Sequence, residues 1–235
     1  MINPNIDIAT MAENLNATKR LQINDFLIHD EATKLMECLR NEVEWSLAYY
    51  DPEKSDGAKL TPQQLKNMPK DELQALTNRV LTCRPDEYQF LYASYMMVTA
   101  YKAKQDMHLR THRFLEYINS PEFLDIARRL TGHNDIIKVD AQATYYDKGH
   151  FLKQHNDSHT DLGRRMAYVL SLTENWNPDW GGTLQFVEEG KVIDTFVPAF
   201  NTLTIFEVPQ QHYVSMITPY AGSPRFSITG WMYAK

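Results

Sequence analysis

Long apolar runs, basic runs and a cysteine framework are all missing from this chain of 235 residues. No run of Lys and Arg exceeds a pair such as Arg128-Arg129 or Arg164-Arg165, and the net charge is -6, so a surface that tracks nucleic-acid phosphates is not expected. Nowhere do eighteen apolar residues follow one another, and MINPNIDIATMAENLNATKR has no charged start leading into an apolar stretch. Neither a membrane-spanning helix nor a secretory leader is therefore expected. The two cysteines, Cys38 and Cys83, are too few and too far apart for a disulfide scaffold or a zinc knuckle, which fits reduced thiols and a cytoplasmic location. Internal repeats, low-complexity segments and long linkers are absent too. The expectation is one domain over residues 1–235, with 1–134 mainly helical support and 135–235 the core.

What is present is apolar material, 43% of residues, enough for a sizeable core. Its spacing divides the chain. Between Asp30 and Tyr49, Leu35, Leu39, Val43 and Leu47 recur every four positions, the stripe of a helix. The polar, turn-rich DPEKSDGAK, residues 51–59, predicts a surface loop, and Thr61-Pro62 then reads as an N-cap with proline at the first helical position. Leu73, Leu76 and Val80 predict one helix, and Tyr88, Leu91, Tyr92 and Tyr95 another. Ser120-Pro121 through Leu130 predict a third that stops at Gly132. After Asn134 the pattern turns into short β-rich runs: IIKVDAQATYY, MAYVLSLTENW, TLQFV, KVIDTFV, TLTIF, HYVSMI and RFSITGWMY. Strand candidates at that density, with no helical period between them, predict an antiparallel jelly roll and an α+β fold with helices packed outside it.

Among the eight histidines, His29, His108, His112 and His133 sit in or beside the helical half without a carboxylate at matching spacing. FLKQHNDSHTD, residues 151–161, carries His-x-Asp twice, as His155/Asp157 and His159/Asp161. On an extended strand residues i and i+2 share a face, so imidazole and carboxylate can converge on one ion. A lone His-x-Asp is more often a solvated turn, but His212, opening HYVSMI, offers a third ligand from another strand. Two histidines and one carboxylate with open positions suit non-haem iron(II). Arg225 opens the last strand thirteen residues later, turned inward while Phe226 faces away. A buried guanidinium needs an anion, and no acidic residue stands near it in sequence, so a ligand carboxylate fits its planar fork. Trp231, six positions on, shares that face and is a candidate pocket wall.

These residues together resemble the 2-oxoglutarate and iron(II)-dependent oxygenase superfamily, in its prolyl-hydroxylase-like branch of the prolyl 4-hydroxylase type. The resemblance rests on Tyr146-x-x-Gly149, Phe151-Leu152, His155-x-Asp157, AYVLSLTENW, Gly181-Gly182-Thr183-Leu184, His212, Arg225 and RFSITGW, in that order over roughly residues 136–233. It implies a double-stranded β-helix core, with Fe(II) on His155, Asp157 and His212 and 2-oxoglutarate as co-substrate held by Arg225. It also implies O2 as oxidant and ascorbate as a supporting reductant. The resemblance selects His155/Asp157 over His159/Asp161, which spacing alone leaves open; His159 then falls in the loop beyond, near the mouth. Tyr146 becomes a candidate donor to the distal carboxylate, with Tyr145 pointing the other way. The implied activity is hydroxylation of a C–H bond, on a prolyl residue of a protein or peptide or on a free amino acid. A zinc hydrolase using the same three ligands, or a non-catalytic jelly roll binding metal or a small acid, remains open. Oligomeric state is not legible.

Overall fold

The computed structural model describes residues 1–82, 87–159 and 163–234. In chain order the first part holds α1 (Ile8–Thr18), β1 (Arg20–Ile23), α2 (His29–Asn41), β2 (Ser46–Asp51), β3 (Asp56–Leu60), α3 (Pro62–Asn67), α4 (Lys70–Leu81), β4 (Phe90–Tyr95), α5 (Met97–Lys102), α6 (Arg110–Ile118) and α7 (Pro121–Thr131). The second part holds β5 (Ile136–Val139), β6 (Gln142–Tyr146), β7 (Phe151–His155), β8 (Arg164–Ser171), β9 (Leu184–Glu188), β10 (Lys191–Phe196), β11 (Thr202–Glu207), β12 (His212–Val214) and β13 (Arg225–Ala234).

Helix ends follow local chemistry. Ser120 accepts from the Phe123 amide with Pro121 at the first position of α7, and Gly132, at φ 74°, closes it by donating to the Arg128 carbonyl. Thr61 and Gln64 form a reciprocal capping box on α3 behind Pro62. The inner face of α2, Ala32, Leu35, Met36 and Leu39, is buried against the sheet, each large side chain contributing roughly 1.5–3 kcal/mol.

The strands are paired antiparallel in the order β1-β11-β8-β13-β6-β4-β7-β12-β9-β10, with β2 and β3 attached beside β4 and β5 beside β13. This nearly closed antiparallel barrel is the double-stranded β-helix expected from the sequence. One core lies between its broad sheet and the helices α1, α2, α6 and α7. A second lies inside the barrel around Phe186, Phe206 and Ile217, and a third lies under the β2–β3 hairpin and α4.

The first half departs from its expected helical character. The α2 stripe ends at Asn41, and Leu47 belongs to β2. Residues 51–59 are not a plain loop, since Asp56–Leu60 pairs with β2 as a hairpin. Tyr88, Leu91, Tyr92 and Tyr95 are not helical either: β4 runs through Phe90–Tyr95 and lies between β6 and β7. Leu91, Ala93, Ser94 and Tyr95 are all buried, so both faces are covered and the alternation that marks a strand is erased. Cys83 lies outside the described residues, and Cys38 is a buried free thiol. Among the described residues no helix is long and apolar enough to cross a membrane.

Candidate metal centre

β7 and β12 are neighbours, and their register places His212 opposite His155. The two rings lie 4.2 Å apart by centroid. Asp157 stands between them, with Oδ1 3.4 Å from His155 Nε2 and Oδ2 3.5 Å from His212 Nε2. The strand ends at His155, however, and Asp157 has a φ of 59°, so its convergence comes from a left-handed turn rather than from the pleat the sequence suggested. That turn is held from outside: Arg164 Nη1 donates to the Asp157 carbonyl at 3.0 Å.

Both imidazoles are oriented by backbone. His155 Nδ1 lies 2.9 Å from the Lys153 carbonyl and His212 Nδ1 2.8 Å from the Gln210 carbonyl. A carbonyl only accepts, so each Nδ1 carries the hydrogen, which turns each Nε2 toward the carboxylate. Three lone-pair donors aimed at one point need a cation between them, and an N2O set with open positions suits iron(II). Burial pushes the pKa of His212 down to about 4, helped by His155 and opposed by Asp157 and the Gln210 carbonyl, so His212 is neutral at pH 7. Burial works against the Asp157 charge too, but hydrogen bonding to His155 and the electrostatic influence of the two neighbouring imidazoles outweigh it and hold its pKa below the ordinary value.

Arg225, 3% exposed, faces the same cavity of about 120 Å3 from the start of β13. Its Nε is buried without a partner, no carboxylate pairs with it among the described residues, and the Tyr146 ring lies 5.1 Å beneath it. Burial lowers its pKa without reaching a range where it would deprotonate. A buried cation lacking an internal anion is a seat for a ligand carboxylate.

Residues 141–233 match the family described as the 2OG-Fe(II) oxygenase superfamily. Over 156 residues, 63% of this chain, the sequence is 27% identical to prolyl 3-hydroxylase OGFOD1 of Mus musculus, and it is 26% identical to the Xenopus laevis protein of the same name over 144 residues. The chain spans only 27% and 28% of those two relatives. A prolyl-4-hydroxylase of Pseudomonas putida shares the fold with a TM-score of 0.60 at 18% identity, covering 97% of this chain and 99% of that one. A Trichoplax adhaerens prolyl hydroxylase, solved in complex with a hypoxia inducible factor oxygen degradation domain peptide fragment, gives 0.62 at 20%, covering 97% and 89%. At these identities the structural likeness is one of fold.

Tyr146 lines the cavity and Tyr145 does not; Tyr145 stacks on Trp45 and donates to Asp147 at 3.0 Å. Trp231 forms part of the cavity wall. His159 is exposed beyond β7 and is not among the residues that line the cavity, and Asp161 lies outside the described residues. Three lining or supporting residues were not singled out by sequence: Arg164, and Tyr88 and Tyr92 beside His155 and Tyr146. The alternation of Tyr88, Phe90 and Tyr92 was the available signal for the tyrosines, hidden by a competing helical spacing of Tyr88, Leu91, Tyr92 and Tyr95.

Proposed function

We propose that this chain is a 2-oxoglutarate- and Fe(II)-dependent dioxygenase, an oxidoreductase that hydroxylates a C–H bond of a prolyl residue in a protein or peptide. The observation that carries the reading is Arg225, a buried guanidinium with no paired carboxylate among the described residues, opening into the cavity that also holds the three metal donors. A zinc hydrolase has no use for that cation.

His155, Asp157 and His212 would hold iron from one side and leave its other positions open to co-substrate and O2. Iron and 2-oxoglutarate supply the oxidising chemistry when bound, turning over the co-substrate to succinate and carbon dioxide. Arg225 would take the distal carboxylate in its fork, with the Tyr146 hydroxyl, whose pKa burial holds far up, as a neutral donor beside it. Phe206, edge-on to His212, and Phe186, tilted against it, would keep water from that side of a bound metal.

The test is succinate formation from 2-oxoglutarate with purified protein, ferrous iron and ascorbate under air. Succinate that depends on iron, and disappears in Asp157→Ala, is expected. Metal-dependent ester or amide hydrolysis without succinate would favour the zinc enzyme instead.

A further inference from the structure

We infer that Trp231 is a positioning residue for the metal centre: its indole N–H is the partner of the Asp157 carboxylate oxygen that a bound cation does not take. This rests on the metal-binding part of the reading above and is independent of the substrate.

The pairing of donors with acceptors carries it. The Trp231 side chain lines the cavity that holds His155, Asp157 and His212. Its Nε1 is buried and has no hydrogen-bond partner among the described residues. An indole nitrogen donates and never accepts, and a buried donor left unpaired is costly, so an acceptor must come to it. Asp157 has the complementary need. Its Oδ1 faces His155 and its Oδ2 faces His212. A cation held by two imidazoles and one carboxylate oxygen leaves the second oxygen without a partner, in a side chain only 8% exposed.

The neighbours leave Trp231 as the donor. Arg164 is engaged with the backbone carbonyl of Asp157 and does not line the cavity. Burial raises the pKa of the Asp157 carboxyl, and the groups that together bring it below the ordinary value are His155, His212 and, last among them, the Trp231 side chain. The indole thus already acts on the carboxylate, although no full hydrogen bond links the two.

Its place is fixed from three sides. The Trp231 amide donates to Asp140 Oδ1 at 2.7 Å, and the Trp231 carbonyl accepts from the Asp140 amide at 3.1 Å. That close approach requires Gly230, where a β-carbon would lie 2.2 Å from the Asp140 carbonyl oxygen. Ala167, opposite Trp231 on β8, leaves room for the ring, and the Arg164 guanidinium covers its face. A donor fixed in advance loses little freedom on bonding, which is how a partner behind a ligating carboxylate orients it. With one oxygen held by Trp231, Asp157 would ligate through the other alone and leave neighbouring positions on the metal open.

The experiment titrates the full chain with cobalt(II) and with zinc(II), without 2-oxoglutarate or substrate. Trp231→Phe keeps an aromatic ring beneath Arg164 and removes the N–H. It is expected to raise the cobalt(II) dissociation constant about 10-fold, the low end for losing a group that orients a ligand. The chain has four tryptophans, and in isotope-labelled parent protein the indole N–H signal of Trp231 is the one missing from the variant. It is expected to move downfield when zinc(II) is added, as an N–H does on gaining a charged acceptor. A merely structural role would lower the melting temperature of metal-free protein and leave that signal in place. Should the variant not fold, the signal broadened most by cobalt(II) identifies Trp231 in the parent, and its response to zinc(II) decides. Unchanged cobalt(II) affinity in the folded variant overturns the inference, as does an indole signal that stays still with zinc(II) or moves only when 2-oxoglutarate is added. A parent that binds neither metal sinks the metal centre and this role with it; metal binding without succinate formation removes the oxygenase reading and leaves this role standing.

Discussion

The guanidinium of Arg164 lies over the indole of Trp231, 3.7 Å from its ring centroid, while the same group donates to the Asp157 carbonyl. One side chain thus ties the final strand to the turn that carries the carboxylate donor. Asp157 holds a left-handed backbone that costs a residue with a β-carbon roughly 1–2 kcal/mol, and a charge-assisted bond to its carbonyl offsets that cost. Arg164→Met is expected to weaken metal binding on the order of 10- to 100-fold, the usual effect of losing a residue that orients a ligand. Arg164→Lys keeps a charge without the planar stack and should recover part of it. Titration calorimetry with cobalt(II) measures both, and an unchanged affinity in a folded variant removes this role.

Asp157→Asn retains the shape of the side chain but takes an anionic donor from between two imidazoles. Metal binding should fall severely and succinate formation with it. Metal content after desalting is the measurement.

Arg225→Gln should leave cobalt(II) binding intact and raise the dissociation constant for 2-oxoglutarate on the order of 100-fold, within the ~2–5 kcal/mol typical of removing one partner of a buried charge pair. Equal co-substrate affinity in variant and parent would show that the distal carboxylate is held elsewhere.

His150, together with His212, whose pKa burial lowers to about 4, gives the pH dependence. Burial lowers the pKa of His150 against the opposing effects of the Tyr145 carbonyl and Asp147, and its Nδ1 accepts from the Asp147 amide, a bond that only the neutral ring can make. The unfolded chain, with a value of about 6.5, binds the proton first as pH falls. Stability is therefore present above that value and is lost below it. The melting temperature of metal-free protein should drop between pH 7 and pH 5, and His150→Gln should show a shallower drop.

At Gly181, φ is 73° and an added β-carbon would lie 2.0 Å from the Met216 carbonyl oxygen, a backbone atom. Gly181→Ala should cost roughly 2–4 kcal/mol in denaturant melts. Gly149, with φ 79° but open space where the β-carbon would go, should cost only about 1 kcal/mol on the same change.

How much was legible differs by element. α7 could be read from end to end because Ser120, Pro121 and Gly132 act within a few residues of themselves. β12 and β13 were legible from short apolar runs, and alternation along a strand meant that only one of Tyr145 and Tyr146 could face the cavity, without saying which. β4 was not, since burial of both faces removed the alternation and left an apolar spacing that also fits a helix. Arg164 gave no signal at all; its importance comes from a stack on Trp231, sixty-seven positions away, and nothing local marks such a contact.

The amino-acid order by itself determined which residue types are available, two imidazoles, a carboxylate and an arginine, and that Tyr145 and Tyr146 alternate along their strand, because those are properties of neighbours along a chain. Only the tertiary structure decided that they meet: the β7–β12 register sets His155 opposite His212, Arg164 turns Asp157 between them, and β4 brings its aromatic face to the same cavity. Pairing between distant segments is fixed by burial and hydrogen bonding summed over the whole sheet, and no stretch of the sequence holds that sum.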